Sequence, residues 1–253
     1  IPRFSTAEVR RLEAHVRRGG AVIFSMGDQV DLGFYNDLLF RNGQGLLPAR
    51  LVSVQRATLG YAYRFALDPD ADRVDPLRLF QDSAARERLL GASFQSFVQT
   101  EPAKAQRGLT PRKILGFVPQ VLPGSRANVV NRSTPPPGGP AILSWKPPLS
   151  LSRSPDRDTE SASASVNPHG RGTVVLITTT LNSDWNRWPV SPVYPAFMQE
   201  LLFYATQERL RERWQTVGDT IDLPLTSTAL VEATVHLPRD PVDVPGRNGG
   251  EEL

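Results

Sequence analysis

Cysteine is absent from the 253 residues, and lysine occurs at only three positions, Lys104, Lys113 and Lys146. Without cysteine the chain forms no disulfide, no thiolate metal site and no cysteine nucleophile. Long apolar runs are also missing, since none approaches the roughly 18 residues that a bilayer-crossing helix needs. We therefore expect a soluble segment. Because the chain does not begin with methionine, we also expect it to be a piece of a longer protein, with whatever anchors that protein lying outside these residues.

Positive charge is present but is not concentrated. The 29 basic and 26 acidic side chains leave a formal net charge of +3, and the arginines are scattered among the acids. A nucleic-acid-binding surface requires clustered basic residues with interleaved aromatic residues. The sequence therefore predicts no nucleic-acid partner and favours protein partners, other domains of the same chain, or a second copy of it.

The N-terminal region reads as a helix, a strand and a second helix. Ser5 and Glu8 form a capping box, and the apolar spacing behind them predicts a helix over 5–18 that ends at Gly19. The continuous apolar run at 21–24 is typical of a strand covered on both faces. A turn and a second helix over 31–41 follow.

Further elements are indicated along the rest of the chain. The pattern predicts helices beginning at Pro76 and over 84–90 and 193–213, and strands within 51–65 and at 94–98, 114–118, 141–145 and 173–180. The last of these strands is β-branched throughout and is expected to be central, with helix 193–213 packed on it. Residues 147–170 are rich in proline and serine and are predicted to form a mobile loop.

This order predicts an α/β domain over residues 1–222, with a mostly parallel sheet and helices on both faces. Residues 223–253 are interpreted as a linker and the start of a β-rich module. No phosphate-binding loop, dinucleotide fingerprint or zinc-protease motif occurs in the chain, so no cofactor or metal is predicted.

Polar and aromatic residues follow the ends of the two clearest strands. Asp28 comes after the first strand and Asp184 after the last, at the edge where open α/β sheets bind ligands. These carboxylates have alternative roles as caps of their own turns. Trp185 and Trp188 offer either an aromatic binding platform or a cover over the core.

Ser25 occupies the position of a nucleophile after a buried strand. Ile23 stands where a nucleophile elbow needs a small residue, and the chain has only three histidines, His15, His169 and His236, to serve as a base. The alternative role for Ser25 is a hydroxyl bonded to the backbone.

The segment Val22-Ile23-Phe24-Ser25-Met26-Gly27-Asp28-Gln29 is similar to the nucleophile strand of class I glutamine amidotransferases, with Ser25 in place of the catalytic cysteine. The His-x-Glu pair of that family has no counterpart. The wider pattern, including Tyr35-Asn36, the strand at 173–180 and Asp184-Trp185-Asn186, resembles the amidotransferase-like domain of large BatA-type membrane proteins of planctomycetes, which also carry a von Willebrand A-type domain. The resemblance implies a flavodoxin-like sandwich that has lost amide hydrolysis.

Three functions remain open from these residues. The leading interpretation is a non-catalytic binding or scaffolding domain of a membrane-anchored protein. Its working surface comprises Gly27, Asp28, Asn36, Asp184, Trp185 and Trp188. The alternatives are a hydrolase that uses Ser25 or the Asp28 and Asp184 pair, and a binder of cell-envelope carbohydrate.

Overall fold

The structure is a computed structural model that describes residues 4–67, 75–104, 110–123, 135, 137–148 and 172–211. The chain divides into two units, Ile1–Trp214 and Gln215–Leu253, and every described residue belongs to the first. Most of the predicted loop at 147–170 and the predicted module from residue 223 lie outside the described residues.

The described residues form four helices and eight strands. The helices are α1 (Thr6–Arg17), α2 (Leu32–Tyr35), α3 (Ser83–Leu90) and α4 (Tyr194–Arg211). The strands are β1 (Val22–Ser25), β2 (Ala49–Arg56), β3 (Tyr61–Leu67), β4 (Ser93–Phe94), β5 (Ser96–Pro102), β6 (Arg112–Val121), β7 (Gly139–Trp145) and β8 (Val174–Ile177). A π-helical turn at Asn36–Phe40 continues α2, so the predicted helix over 31–41 is only partly α-helical. None of the helices in the described ranges combines the length and apolarity needed to cross a membrane.

The sheet is mixed, and the predicted mostly parallel sheet is wrong. Six strands pair in the order β1-β8-β7-β6-β3-β4 and curl into a half-barrel with few helices around it. Among the described strands, β1 and β8 are the single parallel pair, with Phe24 opposite Leu176, and the other ladders are antiparallel. β2 and β5 form a separate antiparallel ribbon. The apolar runs that suggested parallel strands reflect cover on both faces, which does not depend on strand direction.

Two hydrophobic cores lie against the sheet, and β8 separates them. Val174 and Leu176 belong to one core, whereas Val175 and Ile177 belong to the other. Because successive side chains of a strand point to opposite faces, this alternation places one core on each side. α1 and α2 contribute to the first core, and α3 and α4 to the second, which also contains Phe65, Phe94, Phe117, Trp188, Phe197 and Leu201. The last long helix and β8 both contribute side chains to this second core.

The start of α1 follows the predicted capping box. The Ser5 N–H donates to Glu8 Oε2 at 2.7 Å, and the Glu8 N–H donates to Ser5 Oγ at 3.2 Å. The helix ends at Arg17, and Gly19 shortly after it has a φ of 86°, a left-handed conformation that glycine adopts without strain. Beyond it, the Gly172 N–H donates to the Val16 carbonyl at 2.9 Å, and a Cβ on Gly172 would collide with the Val16 backbone. The glycines therefore allow the residues that lead into β8 to approach the end of α1.

A buried acid links α1 to the segment after α2. Glu13 is almost fully buried and forms ion pairs with Arg41 and, at 3.5 Å, with Arg17. Arg41 lies at the end of the π-helical turn in a left-handed conformation, with φ of 46°. This pairing keeps a charged side chain at the margin of the first core, because a buried carboxylate without partners is strongly destabilising.

Candidate functional site

The carboxyl ends of β1 and β8 lie side by side. The Met26 N–H donates to the Ile177 carbonyl at 3.0 Å, which continues the parallel ladder by one step. A Cβ on Gly27 would lie 3.3 Å from the Thr180 Cγ2 atom, so the turn after β1 contacts the chain leaving β8. The structure thus brings together the two strand ends that the sequence singled out.

The two acids at these ends are exposed and interact within their own turns. Asp28 accepts a hydrogen bond from Gln29 Nε2 at 3.2 Å. Asp184 accepts one from Asn182 Nδ2 at 2.7 Å, and its own N–H donates to Asn182 Oδ1 at 3.2 Å. Within the described ranges no group of three or more histidine, aspartate or glutamate side chains could hold a metal ion. The structure therefore shows both acids in the local turn roles that the sequence offered as alternatives.

Asn36 is bonded to the backbone of β2. Its Nδ2 donates to the Leu51 carbonyl at 2.7 Å, and its Oδ1 accepts from the Leu51 N–H at 2.8 Å. Leu51 lies at the irregularity in the β2–β5 ladder between Leu51 and Ser53. The Asn36 amide thus satisfies both backbone groups of one residue at a β-bulge, and its acceptor and one of its donors are already engaged.

Both candidate tryptophans are buried. Trp185 is 7% exposed and belongs to the first core, while Trp188 is 0% exposed and belongs to the second. The Trp188 ring centroid lies 5.0 Å from that of Phe65, 5.4 Å from Phe197 and 4.9 Å from Tyr194, in edge-on arrangements that aromatic rings favour. Neither indole presents an open face for a ligand to stack on.

Asn186 is a structural residue that sequence reasoning missed. It is 2% exposed, and its Nδ2 donates to the Thr180 carbonyl at 2.9 Å and to the Thr180 Oγ1 at 3.1 Å. Its Oδ1 accepts from the Trp188 N–H at 3.0 Å. An asparagine in a polar loop carries no sequence signal of burial. The one indication was its position between two tryptophans, which each require cover.

The segment from Thr178 to Trp188, here called the junction segment, ties the two sheets together. The Thr178 carbonyl accepts from the Val98 N–H at 2.7 Å, and Thr179 Oγ1 donates to the Ser96 carbonyl at 3.1 Å, so the segment lies along the outer edge of β5. The Trp185 carbonyl accepts from the Gln95 N–H at 2.7 Å, which extends the contact to the residue between β4 and β5. The polar groups at this edge mainly form hydrogen bonds with other parts of the protein.

Ser25 lies at the end of β1, opposite Ile177, and is half-buried. Of the three histidines, His15 is the one within the described ranges. It lies on α1, with its imidazole against Gly20 at the start of β1, so it is at the other end of the strand from Ser25. His169 and His236 lie outside the described residues. The described part of the chain brings no imidazole to Ser25.

Burial raises the pKa of one phenol near the junction segment. Tyr194, the first residue of α4, has a pKa above its ordinary value because it is partly desolvated, and its hydroxyl donates to the Leu181 carbonyl at 3.4 Å. The phenol therefore stays protonated at neutral pH and acts as a donor that anchors the start of α4.

Comparison with known proteins does not assign this chain to a family. No protein-family model and no curated protein matches the chain. One solved structure, described as a cytoplasmic protein from Salmonella typhimurium, matches 78% of this chain with a TM-score of 0.44 and 10% sequence identity. The chain spans 60% of the length of that protein. At this TM-score the likeness supports no conclusion about fold or function.

Proposed function

We propose that this chain is a non-catalytic binding or scaffolding module. The observation that carries the proposal is the hydrogen bonding of the junction segment. The side chains of Thr178, Thr179 and Asn186 donate to backbone carbonyl groups of the protein. A catalytic site requires polar side chains that are oriented by the fold and still free to meet a substrate. In the junction segment, the hydrogen bonds that orient these side chains also engage them with other groups of the protein.

The same geometry suits a scaffold. The junction segment joins the six-stranded sheet to the β2–β5 ribbon, and buried aromatic rings hold it in place. Rigid attachment of a ribbon to a packed sheet keeps its exposed surface in a fixed shape, which lowers the entropy cost of binding a partner. A scaffold binds its partners through exposed surfaces, while the strand ends stabilise the fold.

An activity test on the purified chain separates this proposal from hydrolysis. The chain is incubated with glutamine and with p-nitrophenyl esters, and in parallel with a fluorophosphonate probe that labels reactive serines. We expect no turnover above the protein-free rate and no labelling at Ser25. Turnover that Ser25→Ala abolishes, while the exposed-serine control Ser83→Ala retains it, would replace the proposal with a serine hydrolase. Loss in Asp28→Asn or Asp184→Asn would indicate carboxylate-dependent hydrolysis.

Attachment of the parent protein to a bacterial membrane is a further part of the proposal. Its support is the residue pattern shared with BatA-type proteins, although the mostly parallel sheet that this resemblance implied is not present. Fractionation of the full-length parent protein tests it. We expect the parent to remain with the membrane after a high-salt wash and to be released by detergent, and recovery in the soluble fraction would contradict it.

A further inference from the structure

Half of the outer edge of β2 is open. In the described part of the chain, β5 is the one strand that pairs with β2, and the bulge at Leu51 is closed by Asn36. Beyond the bulge, from Ser53 to Arg56, no side chain of the described residues closes the strand in this way. An edge of this kind presents backbone groups that another strand can pair with.

The register shows which backbone groups face outward. Val98 lies opposite Val54 but donates its N–H to the Thr178 carbonyl, on the other side of β5. Farther along, the Ala57 N–H donates to the Gln95 carbonyl at 2.7 Å, so that position is a hydrogen-bonded pair. Antiparallel pairs alternate between bonded and non-bonded. The N–H and C=O groups of Val54 and Arg56 therefore point away from β5, and no described residue hydrogen-bonds to them.

The side chains along this edge form one exposed strip. Arg50, Val52, Val54 and Arg56 are exposed, at 43% for Val52 and 36% for Val54, while the intervening residues are buried or half-buried. The strip thus carries two apolar side chains between two guanidinium groups. Arg50 has one acidic neighbour, Glu101, at 3.7 Å, and both side chains of this pair are mostly exposed. A solvent-exposed pair of this length is weak and exchanges readily for another carboxylate.

We infer that the β2 edge from Val52 to Arg56 binds an extended acidic peptide segment of a partner protein by strand addition. The partner strand pairs with the outward N–H and C=O groups of Val54 and Arg56. On its exposed face, two apolar side chains contact Val52 and Val54. Acidic residues on either side meet Arg50 and Arg56. This inference rests on the proposed binding function and names the class of partner.

Charge decides between an acidic peptide and a second copy of the chain. Pairing of two β2 edges across a two-fold axis would gather the guanidinium groups of both copies into one patch. Charged residues on an edge strand oppose pairing with an identical strand. An acidic partner gains from the same two groups, because backbone pairing supplies affinity and complementary charge supplies selectivity.

A synthetic heptapeptide tests the inference. The probe Glu-Thr-Val-Thr-Val-Thr-Glu, acetylated, amidated and fluorescently labelled, places glutamate, valine, valine and glutamate on one face at the spacing of the strip. Its binding to the full chain is followed by fluorescence anisotropy at low salt. The control peptide carries lysine at both ends. We expect saturable binding of the acidic peptide and affinity at least about tenfold weaker for the basic one.

Protein variants locate the binding site. Arg56→Glu should weaken binding of the acidic peptide by about tenfold or more and should allow the basic peptide to bind. Arg88→Glu, which makes the same charge change at an exposed position on α3, should leave the affinity for the acidic peptide within about twofold. Amide hydrogen exchange on addition of the acidic peptide should slow within 53–57.

Several results would overturn the inference. These are equal affinity for the acidic and basic peptides, equal loss in the two arginine variants, and failure of the acidic peptide to bind. A dimer in sedimentation that Arg56→Glu alters would show that the edge pairs with a second copy. In each of these cases the proposed binding function still stands if the Ser25 assays show no turnover. Ser25-dependent turnover would contradict the proposed function whatever the peptides do.

Discussion

The junction segment and the outer edge of β2 lie on opposite sides of β5, and they differ in how far their backbone groups are hydrogen-bonded. The junction segment donates and accepts hydrogen bonds along one edge of β5 and buries Trp188 in the second core. The edge of β2 is closed at Leu51 by Asn36, whereas no described residue bonds to the outward backbone groups of Val54 and Arg56. The difference teaches that a polar or aromatic residue at a strand end is available to a partner only where the local backbone is not already closed.

The largest expected effect is at the closed side. Trp188→Ala should lower the free energy of unfolding by about 3–5 kcal/mol, because it removes a fully buried ring from an aromatic cluster. Urea unfolding followed by circular dichroism measures it. Trp188→Phe should cost clearly less, since Nε1 has no hydrogen-bond partner in the described residues. If Trp188→Ala is as stable as Val190→Ala, at an exposed neighbour, the junction segment is not packed as described.

The amide of Asn186 is the next strongest test. Asn186→Ala removes the bonds to the Thr180 carbonyl and the Trp188 N–H, and leaves both groups buried without that partner. We expect a loss of about 1–3 kcal/mol in the free energy of unfolding. Ser183→Ala, at an exposed position in the same loop, is the control and should change stability by at most about 0.5 kcal/mol. Equal effects of the two substitutions would contradict a closed junction.

Asn36→Ala would make the two sides of β5 differ further. The substitution frees the N–H and C=O of Leu51, which extends the open edge of β2 past the bulge. We expect a loss of about 1–2 kcal/mol in unfolding free energy and faster hydrogen exchange at the Leu51 amide. Asp37→Asn, at the neighbouring exposed residue, should change neither quantity. A Leu51 amide that stays protected in Asn36→Ala would mean that another group closes this position.

The smallest expected effect is at the start of α1, which belongs to neither of the two regions compared. Hydrogen bonds from the Ser5 backbone and hydroxyl lower the pKa of Glu8 below its ordinary value of 4.5. Because the folded pKa is the lower one, the stability from this bond is present above the ordinary value and is lost as the pH falls through the folded value. Glu8→Gln should therefore flatten the fall in stability between about pH 6 and about pH 3. Urea midpoints at each pH measure it, and identical profiles would contradict the capping box.

The sequence predicted the positions of elements better than their pairing. The capping box at Ser5, the strand at 173–180 and the helix at 193–213 correspond to α1, β8 and α4, with β8 ending at Ile177. These signals are local, because they depend on hydrogen bonds within a turn or on the spacing of apolar side chains. Strand direction depends on contacts between distant segments, and a strand covered on both faces has the same composition in either direction.

The candidate site was predictable only in part, for the same reason. The sequence placed Gly27 and the chain after β8 together, because both follow buried strands. It could not show that Asn36 would meet Leu51, 15 residues away, or that Asn186 would be buried beside two tryptophans of different cores. The strip from Arg50 to Arg56 was touched only by the prediction of a strand within 51–65, which did not show which side chains would be exposed. Its exposure became visible only in the structure, where β5 is the one described strand that pairs with β2.

Residue-resolved amide hydrogen exchange of the intact chain tests the central claim most directly. The account predicts strong protection for the amides of Val98, bonded to the Thr178 carbonyl, and Trp188, bonded to Asn186, and rapid exchange for those of Val54 and Arg56. Protection of Val54 and Arg56 equal to that of Val98 in the chain without a partner would show that the β2 edge is already closed, and would contradict the distinction on which the proposed peptide binding depends.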